Sequence, residues 1–279
     1  MKRDTLVGDK HEEKKPKKGR GLNRWRLLTL GGAFLLVVIN PFVTYYLHFT
    51  FVQGWYQSLG IGSLWFVSPL EGLESLLISK SFYGPSLVGM AVPVLVALFL
   101  GRVFCSWICP VSFILEVQDR IRKVFSGKRY LFNGLIVAKR ILWVTLMTEI
   151  LLSMILGVPL FVFLSPPGLV GREVMMLAFF GSLPLEGGIL LLIVMLELLT
   201  RRFFCRSFCP LGGLLAFIGR KRNLVIDLAD ESCSGCRQCD FVCPMGLRPS
   251  VGESRGAYCW NCGECVACCD NEALKFHWR

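Results

Sequence analysis

Histidine is scarce in this chain, and several cofactor motifs are missing. Among 279 residues only His11, His48 and His277 are histidines, and no C-x-x-C-H sequence occurs. Haem is therefore not indicated. Neither G-x-G-x-x-G nor G-x-x-x-x-G-K-[ST] is found, so the sequence gives no sign of a dinucleotide or nucleoside triphosphate site.

Charge is also sparse. Charged residues make up 18% of the chain, hydrophobic residues 53%, and the mean hydropathy is +0.54. Soluble domains rarely combine so much apolar composition with so little charge. The net charge is +11, but lysine and arginine stand beside apolar runs and form no continuous basic face. This placement is typical of membrane orientation and argues against nucleic-acid binding.

Four apolar stretches are close to the roughly 20 residues that a membrane-spanning helix needs. They cover about 27–48, 87–104, 141–164 and 187–204. The fourth is the shortest, and 174–180 could extend it across Pro184. Two further segments are predicted to lie at the outer side: 63–82 as an amphipathic piece and 165–172 as a plain turn.

Basic residues predict the orientation of these spans. Ten lysines and arginines precede the first span and seven lie between the second and third, but the other two connections carry only Lys80 and Arg172. By the positive-inside rule, both termini are cytoplasmic. The predicted parts are a basic cytoplasmic tail (1–26), a four-helix membrane domain (27–222) and a cytoplasmic cysteine-rich domain (223–279).

The membrane part contains an internal repeat. R-V-F-C-S-W-I-C-P at 102–110 and R-F-F-C-R-S-F-C-P at 202–210 align at an offset of 100 residues, each after an even-numbered span. The sequence thus predicts two parallel helical hairpins, each ending in F-C-x3-C-P. Within each motif the cysteines are expected one helical turn apart on one face. A metal or iron–sulfur centre could lie between the repeats; the alternatives are redox-silent packed cysteines or a redox-active thiol pair. The residues concerned are Cys105, Cys109, Cys205 and Cys209.

Eight further cysteines form two C-x2-C-x2-C-x3-C runs near the C-terminus, at 233–243 and 259–269. This doubled run is the bacterial ferredoxin pattern for two 4Fe-4S clusters, in which the fourth cysteine of each run binds the other cluster. One predicted ligand set is Cys233, Cys236, Cys239 and Cys269. The other is Cys243, Cys259, Cys262 and Cys265. Cys268, next to Cys269, blurs which sulfur is the ligand. Zinc ribbons are the alternative, but zinc sites use paired C-x-x-C units.

Three titratable residues in or beside the spans are candidates for accepting protons. Glu149 and Glu197 lie within the third and fourth spans, and His48 lies at the outer end of the first. Carboxylates are costly in lipid and often functional there, and histidine titrates near neutral pH. The alternative is that each is satisfied by a helix neighbour or reaches water.

The four spans, V-F-C-S-W-I-C-P at 103–110, F-F-C-R-S-F-C-P at 203–210 and the tandem cysteine runs together resemble the NapH-type membrane iron–sulfur quinol dehydrogenase subunits, a wider family that includes MauN, NosR and CcoG. The resemblance implies a polytopic α-helical protein of the bacterial cytoplasmic membrane with a C-terminal ferredoxin-like α+β domain. It implies oxidation of quinol, expected to be menaquinol or ubiquinol.

The resemblance also implies that electrons pass toward a periplasmic reductase, such as nitrate reductase, with a periplasmic ferredoxin-type partner. Two alternatives stay open: a metal reductase or assembly factor for a respiratory oxidase, and a redox-sensing membrane regulator. The direction of electron flow is also open, because the predicted clusters are cytoplasmic whereas the final acceptors of the family lie outside.

Overall fold

The structure is a computed structural model that describes residues 19–48, 53–55, 58–61, 64–81, 84–127, 139–182 and 185–279. Pro184 and most of the predicted basic tail lie outside these residues. The helices that precede the second cysteine motif are α1 (Gly19–Leu47), α2 (Pro69–Ser79), α3 (Gly84–Leu100), α4 (Val103–Trp107), α5 (Pro110–Ser126), α6 (Ile141–Leu156), α7 (Leu160–Leu164), α8 (Pro166–Phe180) and α9 (Gly187–Leu199). Those that follow are α10 (Phe203–Ser207), α11 (Pro210–Ile218), α12 (Gln238–Val242) and α13 (Glu264–Ala267).

A helix occupies each of the four apolar stretches, and these helices are α1, α3, α6 and α9. Among the described residues, one segment, Gly21–Leu47 within α1, is both long and apolar enough to cross a membrane. The other three helices are apolar but have 17, 16 and 13 residues. α1 also begins at Gly19, inside the segment predicted as a basic tail.

Glycine and proline end these helices earlier than their hydropathy predicts. α3 stops before Gly101 and α6 before Gly157, whose φ angles of 73° and 68° lie in the left-handed region. Glycine adopts this conformation without steric cost, and it closes a helix. The third stretch is therefore not one helix over 141–164, because Gly157 and Pro159 separate α6 from α7.

The segment between the third and fourth stretches is helical. The prediction of a plain turn at 165–172 is wrong, because Ser165 caps α8 by accepting from the backbone N–H of Gly168 at 3.1 Å and Pro166 begins the helix. α8 then runs to a left-handed Gly181. Residues 174–180 thus belong to α8 and do not extend α9.

The helices that follow the cysteine motifs pack back against the apolar helices. α5 lies against α1 and α8, and α11 lies against α6, α3 and α2. Just after α11 the chain passes very close to the end of α3, where a Cβ atom on Gly219 would stand 2.7 Å from Cα of Gly101 and 2.9 Å from the carbonyl oxygen of Ala97. Only glycine permits this approach.

An antiparallel three-stranded sheet follows α1, with strands β1 (Gln53–Trp55), β2 (Ser58–Ile61) and β3 (Leu64–Val67). In its register Leu59 lies opposite Phe66. The segment predicted as one amphipathic piece is therefore a strand followed by α2. That helix is not surface-bound, since its Glu74 is only 1% exposed.

The C-terminal part is a small α+β unit. Strands β4 (Leu224–Leu228) and β5 (Leu274–Trp278) pair antiparallel, and the short helices α12 and α13 lie between them in sequence. Buried ion pairs fix this unit to the helices. Glu264 of α13 accepts from Arg26 of α1 and from Arg201, each at 3.2 Å. The tail is consequently docked on the helical body.

Candidate metal centres

Cysteines from the two repeats meet at one cavity. Both cysteines of each F-C-x3-C-P motif line it: Cys105, Cys109, Cys205 and Cys209. We call it the inter-repeat cavity. The repeat thus places side chains that are 100 residues apart in sequence around one space.

The local geometry of each motif differs from the predicted single helical turn. α4 ends at Trp107, and Cys109 is the N-cap of α5. Proline removes a backbone donor and disfavours a helical residue before it, but it is well suited to the first helical position. Pro110 therefore breaks the helix and begins the next. The second motif repeats the arrangement, with Cys209 as the N-cap of α11.

Positive electrostatic groups surround the inter-repeat cavity. Residues from the first turns of α5, α8 and α11 line it, and so does Arg102. The N-terminus of a helix carries a partial positive charge from its aligned peptide dipoles. Burial nevertheless raises the pKa of Cys109 and of Cys209 to about 12. Free thiols at these two positions stay protonated at neutral pH, and a metal would have to displace the proton.

Two further cavities lie in the tail. The first is lined by Cys243, Cys259, Cys262 and Cys265, all of them buried. We call it the inner tail cavity. The second is lined by Cys233, Cys236, Cys239, Cys268 and Cys269. This outer tail cavity includes an exposed cysteine, Cys236.

The fourth cysteine of each run lies with the other run. Cys243 lines the cavity of the second run, and Cys269 lines that of the first. Cys268 stands beside Cys269 at the outer tail cavity, and its thiol contacts the carbonyl oxygen of Cys265 at 3.3 Å. Both neighbouring cysteines therefore line the same cavity.

The three cysteine sets suit a polynuclear group better than a single ion. A structural zinc ion holds four ligands about 2 Å from one point. In the described part of the chain, no three histidine, cysteine, aspartate or glutamate side chains converge closely enough to hold one metal ion. Instead, each of the three cavities is lined by four or five cysteines. Iron–sulfur clusters, which are held by four cysteine thiolates around a larger core, fit this donor set.

The segment that carries Cys105 and Cys109 contacts the segment that carries Cys259 and Cys262 directly. The hydroxyl of Ser106 donates to the carbonyl oxygen of Trp260 at 2.6 Å, and the indole N–H of Trp107 donates to that of Asn261 at 3.3 Å. Ser106 and Trp107 lie between the two cysteines of the first motif. Trp260 and Asn261 lie between Cys259 and Cys262. The two cysteine sets are therefore joined by hydrogen bonds between α4 and the segment that connects Cys259 to Cys262.

The predicted proton acceptors lie apart from one another. Glu197 is 3% exposed, and its carboxylate accepts from the backbone N–H groups of Phe203 and Phe204 at 2.9 and 3.0 Å, which caps α10. Glu149 is partly buried, and its Oε1 has no hydrogen-bond partner within the described residues. His48 is exposed at the end of α1.

A buried carboxylate that the sequence prediction did not single out lies close to Glu149. Glu74 accepts from the hydroxyl of Ser153 at 3.1 Å and from the backbone N–H of Phe161 at 3.2 Å. Glu71 and Glu149 are close enough to act on it electrostatically. The available sequence signal was Ser68-Pro69, a helix start that places Glu74 in the second turn of α2.

The chain matches a family model described as a 4Fe-4S binding domain, over residues 84–129 and 184–227. Each match contains one F-C-x3-C-P motif and none of the eight tail cysteines. No solved structure matches the chain.

Relatives extend this similarity over most of the chain. An uncharacterized protein of Methanocaldococcus jannaschii is 29% identical over 74% of this chain and 84% of its own length. The ferredoxin-type protein NapH of Escherichia coli is 29% identical over 76% and 74%, respectively. The methylamine utilization ferredoxin-type protein MauN of Methylobacillus flagellatus is 29% identical over 67% and 64%. The chain is thus similar to the NapH- and MauN-type ferredoxin-type proteins.

Proposed function

We propose that this protein is a membrane-bound iron–sulfur subunit that oxidises quinol, with menaquinol as the expected substrate, and passes electrons toward a periplasmic reductase such as nitrate reductase. It would act with a periplasmic ferredoxin-type partner. The observation that carries the proposal is the hydrogen bond between Ser106, which lies within the first helical cysteine motif, and Trp260, which lies within the second cysteine run of the tail. A ferredoxin-type tail seated on the helical cysteine motifs is what transfer between a lipid phase and a polar domain requires.

Two 4Fe-4S clusters are proposed in the tail, held by Cys233, Cys236, Cys239 and Cys269 and by Cys243, Cys259, Cys262 and Cys265. A third is proposed in the inter-repeat cavity. When bound, such clusters supply one-electron transfer at potentials set by charge, hydrogen bonds and exposure. The chain encloses the inner and inter-repeat sites among apolar side chains, including Leu211 and Ile226, which keeps water from them.

The proposed placement is a four-span helical domain with both termini in the cytoplasm. α1, α3, α6 and α9 expose many large apolar side chains, among them Ile39, Leu95, Leu151 and Leu191, which are each 51–59% exposed. Contiguous apolar surface of this kind is unfavourable in water and suits lipid. Helices as short as α3, α6 and α9 span a bilayer if the connecting segments at their ends lie in the membrane interface.

Oxidation of quinol releases protons as well as electrons, so the site needs a proton acceptor. Glu149 is the favoured candidate, because its Oε1 is unbonded within the described chain and Glu74 lies near it. Glu197 is a weaker candidate, since both of its oxygens accept from backbone N–H groups. His48 remains a candidate at the proposed outer end of α1.

Iron content tests the three centres. Anaerobically purified protein is expected to contain about twelve iron atoms, four for each cluster. The double variant Cys105→Ser/Cys205→Ser should keep about eight and lose one EPR signal. Zinc without visible absorbance would overturn the iron–sulfur assignment, and about eight irons in the unaltered protein would overturn the third centre.

Reduction by quinol tests the activity. A menaquinol analogue should reduce the clusters in membranes, and Glu149→Gln should slow this reduction at least tenfold, as expected for loss of a proton acceptor. Glu186→Gln is the control, because Glu186 is half-exposed and paired with Arg172 at 2.7 Å. If only a soluble cytoplasmic donor reduces the clusters, quinol oxidation is not the function.

A further inference from the structure

One arginine in each repeat reaches across to the other repeat. Arg102 donates to the carbonyl oxygen of Cys205 at 3.1 Å, and Arg202 donates to that of Ser112 at 3.2 Å. These arginines occupy equivalent positions, 100 residues apart. Gly212, the equivalent of Ser112, leaves room for Arg102, since a Cβ atom there would lie 2.5 Å from the guanidinium.

The repeats differ in the charges that meet these arginines. Arg202 pairs with Glu116 at 2.9 Å and lies 3.8 Å from Asp119. The positions equivalent to these carboxylates in the second repeat are Ala216 and Gly219. No acidic side chain within the described residues forms an ion pair with Arg102. The two repeats therefore differ: Arg202 has carboxylate partners, whereas Arg102 has none among the described residues.

Arg102 is nevertheless completely buried. It is 1% exposed, it also donates to the carbonyl oxygen of Tyr258 at 3.5 Å, and its Nε has no partner within the described chain. A guanidinium stays charged in proteins. Burial of an uncompensated charge is costly, so an anion is expected beside it, and Arg102 lines the inter-repeat cavity.

We propose that Arg102 is the counter-charge of the cluster held by the four cysteines of the inter-repeat cavity, and that it raises the reduction potential of that cluster. This inference rests on the third centre of the proposed function. A four-thiolate cluster is anionic, and its negative charge grows by one on reduction. A fixed positive charge therefore stabilises the reduced form more than the oxidised form.

Arg102 also ties this centre to the tail. Tyr258, whose carbonyl accepts from Arg102, directly precedes Cys259 of the inner tail cavity. Arg222 is the corresponding residue on the tail side. It is 2% exposed and donates to the carbonyl oxygens of Cys259 at 2.7 Å and Ser254 at 2.9 Å. Arg222 forms no ion pair in the described structure and does not line the inter-repeat cavity, which makes it a matched control.

The experiment is a redox titration followed by EPR on the full-length protein. The signal of the inter-repeat centre is identified by its loss in Cys105→Ser/Cys205→Ser. Arg102→Gln should lower the midpoint potential of that signal, and Arg102→Lys, which keeps the charge, should lower it less. Arg222→Gln should instead shift a tail signal. An unchanged midpoint in Arg102→Gln, with iron content intact, would overturn the proposal.

The remaining outcomes are also decisive. If the unaltered protein lacks a third signal and holds about eight irons, the third centre fails and the role of Arg102 fails with it. If twelve irons are present but Arg102→Gln and Arg222→Gln shift the same signals equally, only the role of Arg102 is wrong. If Arg102→Gln loses the centre, recovery by Arg102→Lys supports the counter-charge, and loss in both variants contradicts it.

Discussion

Six arginines are buried where the helices meet the tail, each 7% exposed or less: Arg26, Arg102, Arg201, Arg202, Arg206 and Arg222. Three of them form ion pairs with Glu116, Asp119 or Glu264. Arg202 also lies over the ring of Trp260, 5.7 Å from its centroid. The planar guanidinium suits such sites because it bonds in several directions and stays charged. These side chains therefore fix how the tail sits.

At the residue scale, the pH dependence of stability is expected to follow Glu116. Burial alone would raise its pKa, but Arg202 and Arg26 outweigh burial and hold the pKa of Glu116 below its ordinary value. A carboxylate with a lowered pKa in the folded state stabilises the fold above its unfolded pKa of about 4.3. This stabilisation is lost as the pH falls through the folded value.

The test compares thermal unfolding between pH 7 and pH 3. Glu116→Gln should lower the free energy of unfolding at pH 7 by about 3–5 kcal/mol, because buried arginines lose their partner. Its stability should then fall less steeply in acid than that of the unaltered protein. Glu231→Gln, at an exposed position, is the control and should change neither value. If the stability of Glu116→Gln falls as steeply in acid as that of the unaltered protein, the role given to Glu116 is wrong.

At the element scale, features that follow from the spacing of residues along the chain could be predicted from the sequence. Features that follow from tertiary packing could not. Cys105 and Cys205 could be placed together because a repeat brings equivalent positions to one interface. The break in the helix between Trp107 and Pro110 follows from the backbone restrictions that proline imposes. The prediction of a single helical turn rested on the spacing of the cysteines alone and did not include them. Tertiary packing places the start of α8 at the inter-repeat cavity, which Pro166 and Pro167 line. The sequence pattern carries no information about that contact, so the position of α8 could not be predicted from it.

The junction between α3 and the turn after α11 supports a second prediction. Gly219→Ala should destabilise the protein by about 1–3 kcal/mol, the usual cost of overpacking, because the added methyl group meets backbone atoms of Gly101 and Ala97. Gly32→Ala in α1 is the matched control, since nothing lies within 4 Å of that position. It should stabilise slightly, by up to about 1 kcal/mol.

Thermal unfolding in detergent, with iron retention measured alongside, decides between these outcomes. The junction is not tight if Gly219→Ala unfolds at the same temperature as the unaltered protein. Equal losses in both variants would instead indicate a general effect of alanine at glycine positions.

At the scale of the whole molecule, the proposed topology predicts where fused reporters are active. A reporter that works only outside the cytoplasm should be active when joined after Ser81 and inactive after Gly127 or Arg279. The reason is the distribution of lysine and arginine, which favours cytoplasmic placement of the basic connections. A second reporter that fluoresces only in the cytoplasm serves as the control and should show the reverse pattern. Activity of the first reporter after Arg279 would contradict the placement of the tail.

The division of the inter-repeat cavity between two repeats has a consequence for biosynthesis. Chains emerge N-terminus first, so Cys105 and Cys109 leave the ribosome well before Cys205 and Cys209. A cofactor that needs all four sulfurs cannot be inserted before Cys209 has been synthesised. The outer tail cavity is completed later still, because residues from both 233–239 and 268–269 line it. We therefore expect each of the proposed centres to be loaded late in the maturation of this protein.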